Sequence, residues 1–215
     1  MSAPPPLSLR LRRATRDSHM LAERSGAMHA LLQGRLAREG YCVMLRNFHA
    51  LYVALEGALD QHAGSPVLGQ IRMPELYREP ALRLDLDYFG GEQWPQLPLA
   101  AAMREYVSRL GQLRGPRAHL LAAHAYVRYL GDLSGGQVLK GIVTHTMGLV
   151  DGAGSAFYTF AAGDAPDTIK HRFRAALDAL PVDASGATDI VAEANAAFAL
   201  HMRLFEELDD SPAKR

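Results

Sequence analysis

Three glycines lie in the middle of the longest helical stretch of the chain, which runs from about residue 117 to residue 147. Gly131, Gly135 and Gly136 belong to the string YVRYLGDLSGGQ at residues 126–137. Each glycine inside a helix costs about 1 kcal/mol relative to alanine. A sequence that keeps three of them therefore needs a kink, or a partner that approaches the backbone more closely than a Cβ would permit.

The spacing of these glycines allows two interpretations. Gly131 and Gly135 are four residues apart and share one helix face, while Asp132 and Gly136 lie on the adjacent strip. Arg128 stands four residues before Asp132, at the spacing of a helical ion pair. This pattern predicts a flat surface without side chains beside one carboxylate, which suits a planar ligand. The alternative is that Gly131 and Gly135 let two helices cross closely.

The periodicity of the whole chain indicates an all-α fold. Apolar residues recur at helical spacing, and no window alternates in the manner of a β-strand. Prolines and glycines between residues 66 and 98 predict short helices and loops there. We expect one compact multi-helix domain over residues 1–215, with residues 1–6 as a flexible lead and 209–215 as a flexible tail. The predicted helices cover residues 11–22, 36–61, 99–112, 117–147, 165–180 and 187–208.

The balance of basic and acidic residues argues against partners that bind to a protein through its net charge. The chain has 23 basic and 23 acidic residues, so neither nucleic acid nor an anionic membrane is an expected partner. No apolar stretch reaches the roughly 18 residues that span a bilayer. A single cysteine, Cys42, excludes an internal disulfide and suits a reducing compartment. These features predict a cytoplasmic protein, in which any anionic ligand is held by a local cluster of positive charge.

Such a cluster lies near the N-terminus. Arg12, Arg16, His19 and Glu23 are spaced 4, 3 and 4 residues apart and therefore align on one helix face. A histidine beside two arginines suits haem b, because imidazole binds iron and guanidinium groups bind the propionates. The alternative is that His19 is a solvated histidine in a charged stripe.

Other motifs are absent or incomplete. The string LSGGQ at residues 133–137 matches the signature loop of ABC-type ATPases, but the chain has no phosphate loop of the form G-x-x-x-x-G-K-[ST]. Neither H-E-x-x-H nor E-x-x-H occurs, which argues against a zinc protease and a ferritin-like di-iron site. The chemistry is therefore expected at the two segments described above.

Taken together, these two segments resemble the haem oxygenase family. The string LRRATRDSH at residues 11–19, followed by Ala22 and Glu23, is similar to the proximal helix of that family, with His19 at the place of the axial iron ligand. Residues 123–126 and 128–140 are similar to its distal helix. Further similarity appears at residues 52–56 and 195–208, so the resemblance extends from about residue 8 to residue 208.

The resemblance implies a haem sandwiched between the proximal and distal helices. It also implies that dioxygen is a second substrate and that electrons come from an external ferredoxin, flavodoxin or NAD(P)H reductase. It implies that haem in the usual seating is cleaved at the α position to biliverdin, with release of carbon monoxide and ferrous iron. Asp132 is the expected catalytic group, acting through ordered water, and Arg128, Tyr126 and Gly131 assist it. The residues implied in haem binding are His19, Arg12, Arg16, Glu23, Gly131, Gly135, Gly136, Lys170, Arg174 and Phe198.

The chain departs from the family pattern at a few positions. Arg12 and Arg16 stand where members often have lysine, Val127 replaces a common threonine, and His201 stands where some members have asparagine. Two alternative functions are a haem-storage protein of the same fold and a thiaminase-like helical enzyme. Asp132 and the intact glycine string argue against storage. A thiaminase-like enzyme would not need His19 beside two arginines.

Overall fold

The computed structural model describes residues 4–160 and 165–209, and in these residues the regular secondary structure is helical. Short 3-10 segments lie at Pro74–Leu76, Gly91–Gln96, Gly115–Leu120 and Ala156–Tyr158. The α-helices are α1 (Leu7–Ala14), α2 (Arg16–Glu23), α3 (Gly26–Leu32), α4 (Arg38–Gln61), α5 (Glu79–Gly90), α6 (Ala101–Gln112), α7 (Leu121–Thr146), α8 (Pro166–Asp178) and α9 (Ala184–Asp209).

The all-α prediction is confirmed, and the ends of α4, α6, α7, α8 and α9 lie within four residues of the predicted ones. The first predicted helix is instead divided into α1 and α2 at Thr15, whose hydroxyl donates to the Leu11 carbonyl at 2.8 Å. A hydroxyl bonded to the preceding turn competes with the backbone and often bends a helix. Of the predicted lead, residues 4–6 are exposed and outside any helix, and the rest lies outside the described residues. Asp209 still belongs to α9, and residues 210–215 lie outside that description.

The region between residues 66 and 98 contains a longer helix than expected. Pro80 lies in the first turn of α5, where its missing N–H costs no helical hydrogen bond. Glu56 of α4 accepts the backbone N–H groups of Arg78 (2.5 Å) and Glu79 (3.2 Å) at the start of α5. Burial raises the pKa of Glu56 to about 7, although these two hydrogen bonds oppose the rise. A buried carboxyl from a distant helix therefore anchors the N-terminus of α5.

The long helix α9 joins the two parts of the chain that were singled out above. It packs against α1, α2 and α3 on the side of the N-terminal segment, and against α6 and α7 elsewhere. Its buried residues include Ala194, Ala197 and Leu204, which have no exposed surface. Burying a leucine side chain contributes about 1.5–3 kcal/mol, so these contacts fix α2 relative to α7. None of the described helices is long and apolar enough to cross a membrane.

Candidate functional site

A cavity opens between α2 and α7. It consists of two adjoining pockets of about 360 and 370 Å³, which share His19, Val127, Gly131, Ser134 and Phe198 in their walls. Small-molecule sites usually occupy about 300–1,000 Å³. Because the pockets share these walls, we treat them as one cavity with a basic end, lined also by Arg12, Arg16 and Arg174, and an inner end, lined also by Phe48, Phe157, Asp132 and Gly135.

His19 lies on the α2 wall, where both ends of the cavity meet. Its side chain is 52% exposed, and its Nδ1 atom is 3.7 Å from a Glu23 carboxylate oxygen, beyond ordinary hydrogen-bond distance. The edge of the ring contacts Phe198 of α9, with 5.8 Å between the centroids. The hydroxyl of Ser18 donates to Asn195 at 2.6 Å and ties α2 to α9. The imidazole is thus accessible from the cavity while the helix that carries it is held in place.

The glycines of α7 divide into two groups. A Cβ on Gly131 or Gly135 would meet no described atom within 4 Å, and both residues line the inner end of the cavity. Packing against another helix therefore does not require glycine at these positions, which favours the flat, ligand-facing surface over a close helix crossing. Gly136 points elsewhere, since its Cβ would lie 3.5 Å from the Tyr158 ring. The helix continues unbroken through all three glycines, so they are not needed for a break.

Asp132 is buried beside the inner end of the cavity and is held by two partners. The Arg128 guanidinium donates to one carboxylate oxygen at 2.9 Å, and the Tyr52 hydroxyl donates to the other. Arg128 also donates from Nε to the Tyr52 hydroxyl at 3.0 Å. Burial raises the pKa of Asp132, while the charge of Arg128 and the hydrogen bond from Tyr52 oppose that rise. The carboxyl is therefore fixed in position at the cavity wall by neighbours on α4 and α7.

The third partner of Arg128 is His201 on α9, at 3.2 Å between Nη1 of the guanidinium and Nε2 of the imidazole. The sequence identified His201 only as a departure from the family pattern, and Tyr52 only as part of a similar segment. Both residues line or support the same site, although His201 is 73 residues and Tyr52 is 76 residues from Arg128 in the chain. No local spacing links them to Arg128, so the sequence carries no signal for these contacts.

The basic end of the cavity contains most of the predicted cations. Arg12, Arg16 and Arg174 line it, together with Tyr126, whose hydroxyl lies 3.3 Å from that of Thr15. Tyr126 thus lies at the basic end of the cavity and not beside Asp132, the residue that the resemblance implied it would assist. Lys170, which the resemblance implied in haem binding together with Arg174, lies outside the described cavity wall, and its ammonium group contacts Asp167 at 2.6 Å.

The donor set fits haem better than a bare metal ion. Among the described residues no group of three or more histidine, cysteine, aspartate or glutamate side chains could hold a metal. His19 provides one imidazole donor, which is sufficient only when a macrocycle supplies the other ligands. The open glycine surface of α7 leaves room for a flat ring, and the arginines at one end match its carboxylates.

Comparisons with known proteins agree with this geometry. The sequence model of the family described as Heme oxygenase matches residues 5–207. Heme oxygenase 1 of Nostoc is 38% identical over 209 residues, covering 97% of this chain and 88% of that protein. The crystal structure of heme oxygenase-1 from Synechocystis in complex with heme is 40% identical, with a TM-score of 0.90 over 95% of this chain and 93% of that one. Heme oxygenase from Leptospira interrogans is 37% identical, with a TM-score of 0.89 over 94% of this chain and 100% of that one.

Proposed function

The chain belongs to the haem oxygenase family and is an enzyme that cleaves haem to biliverdin, carbon monoxide and iron, and we propose that the haem lies between α2 and α7 with His19 as its protein ligand. The observation that carries this proposal is the cavity itself. One wall presents an accessible imidazole, another presents two glycines whose missing Cβ atoms leave free space, and one end presents three arginines. The Synechocystis relative, solved in complex with heme, supports the same ligand.

Each wall of the cavity has a separate part in the proposed reaction. Bound haem supplies the iron that activates dioxygen and the ring that is cut. His19 holds the iron from the α2 side, and Arg12, Arg16 and Arg174 hold the propionates at the basic end. Gly131 and Gly135 allow the backbone of α7 to approach the ring. The inner end is mostly apolar, which limits bulk water at the reacting face.

Asp132 is the group proposed to direct proton transfer in the cavity. Its carboxyl is held by Tyr52 and Arg128 and lines the inner end, on the α7 side of the space. A fixed carboxyl can order a water molecule and pass protons through it without touching the iron. Dioxygen and electrons come from outside the chain, and we propose a ferredoxin, a flavodoxin or an NAD(P)H-dependent reductase as the electron donor.

The proposal is tested at His19. In His19→Ala the visible spectrum of the haem complex should lose the features of histidine ligation, and biliverdin formation should nearly cease. Added imidazole should restore part of both, because the cavity would then admit a replacement ligand. The matched control is His145→Ala, an exposed histidine on α7 outside both pockets as described. An unchanged spectrum and rate in His19→Ala would contradict the assignment.

A further inference from the structure

His201 is a buried histidine at the inner end of the cavity. It lies on α9 with 2% of its surface exposed. Its ring packs edge-on against Tyr106, with 5.1 Å between centroids, and lies 6.0 Å from the Phe205 ring. The nearest charged group is the guanidinium of Arg128. A polar ring in such surroundings is stable only if both nitrogens have suitable partners.

The two partners determine which nitrogen carries the proton. The Ala197 carbonyl can only accept a hydrogen bond, so Nδ1, at 2.8 Å, must donate to it. Arg128 can only donate, so Nε2, at 3.2 Å, must accept. Burial, together with the charge of Arg128, lowers the pKa of His201 to about 3. The neutral form with its proton on Nδ1 is therefore present throughout the physiological range of pH.

This arrangement completes the binding of Arg128. Each guanidinium nitrogen contacts a group on a different helix: Nε contacts Tyr52 of α4, Nη2 contacts Asp132 of α7, and Nη1 contacts His201 of α9. The guanidinium is planar and rigid, so three contacts in different directions fix its rotation as well as its position. The face of the group rests on the Phe48 ring, 4.7 Å from the centroid. Without His201, one buried N–H group would lose its partner and the plane could turn.

We propose that His201 is a positioning residue for the reaction: by accepting an N–H from Arg128 it holds the guanidinium in the orientation that serves Tyr52 and Asp132 together. The inference rests on the proposed function, because it assigns the role through Asp132. Helix α9 would then support both walls of the cavity, since its Phe198 contacts His19 on the opposite wall. The acceptor atom of His201, and not merely its bulk, is the property that matters.

Two substitutions separate the acceptor from the bulk. In His201→Gln the side-chain oxygen can take the place of Nε2, whereas His201→Leu fills similar space without an acceptor. His201→Leu should retain haem affinity and lower the rate of biliverdin formation roughly tenfold or more, because a charged buried donor is left unpaired. His201→Gln should restore most of that rate. Equal losses in both variants, or a wild-type rate in His201→Leu, would overturn the proposal.

A measurement on the protein without haem tests the contact directly. Nitrogen NMR of protein isotopically labelled in histidine and arginine should show His201 with a protonated Nδ1 and a bare Nε2. In His201→Leu the side-chain N–H protons of Arg128 should exchange faster with water. A proton on Nε2 in the unsubstituted protein would overturn the proposal even if the leucine variant failed to fold. If the unsubstituted protein made no biliverdin while these signals were present, the proposed function would fail and the contact would stand.

Discussion

Replacement of Gly135 by alanine separates what α7 needs for folding from what it needs for haem. In the folded protein the added Cβ would meet no described atom within 4 Å. It would therefore cause no collision, and the helix would gain the difference in propensity between glycine and alanine, about 1 kcal/mol. For a chain of this size that gain raises the melting temperature of the haem-free protein by roughly 2–4 °C.

The same methyl group would enter the space that haem is proposed to occupy, because Gly135 lines the inner end of the cavity. Inserting one methyl group into a filled site costs about 1–3 kcal/mol. That cost corresponds to roughly 5- to 150-fold weaker haem binding. Gly135→Ala is thus expected to stabilise the haem-free protein and to weaken its haem complex, two effects of opposite sign from one change.

The assay combines thermal unfolding of the haem-free protein with spectroscopic titration of haem. The matched control is Gly141→Ala, at an exposed position of the same helix where a Cβ also has free space among the described atoms. The control should gain the same stability and keep its haem affinity. Haem affinity unchanged in Gly135→Ala would refute the reasoning. A lower melting temperature would show that the glycine is needed for packing after all.

Three further predictions concern charged groups. Asp132→Ala should keep its haem affinity, but its rate of biliverdin formation should fall roughly a hundredfold or more, as expected when proton transfer is removed. A normal yield of biliverdin from this variant would show that another group organises the protons. Glu56 has a folded pKa of about 7 against an ordinary value of 4.5, so its contribution to stability is complete below pH 4.5 and is lost as the pH rises through 7. Between pH 4 and pH 8 the free energy of unfolding of the unsubstituted protein should therefore fall by roughly 3 kcal/mol more than that of Glu56→Gln. If denaturant unfolding gave the same pH dependence for both proteins, this prediction would be contradicted. Lys170→Ala combined with Arg174→Ala should give mixed biliverdin isomers on chromatography, whereas Lys170→Ala alone should give one isomer, because only Arg174 lines the described cavity wall. A single isomer from the double variant would exclude both residues from haem seating.

Much of the fold was accessible from the sequence because helices are local structures. Apolar spacing, together with helix-breaking prolines and glycines, predicted where α4, α6, α7, α8 and α9 begin and end, to within four residues. The break at Thr15 and the length of α5 were not predicted. The first depends on a hydroxyl that bonds to the preceding turn, and the second on Glu56, a side chain 22 residues before Arg78 that accepts the N–H groups at the start of the helix.

The candidate site shows the same division. Local spacing was enough to predict the histidine and arginine face near α2 and the glycine face of α7, since residues three or four apart share one side of a helix wherever that helix packs. Long-range packing, in contrast, brings Tyr52 and His201 to Arg128 and Asp132, and brings Arg174 but not Lys170 to the cavity. Those contacts join residues that are far apart in the chain, and their distances depend on how α4, α7, α8 and α9 pack, which no local spacing records.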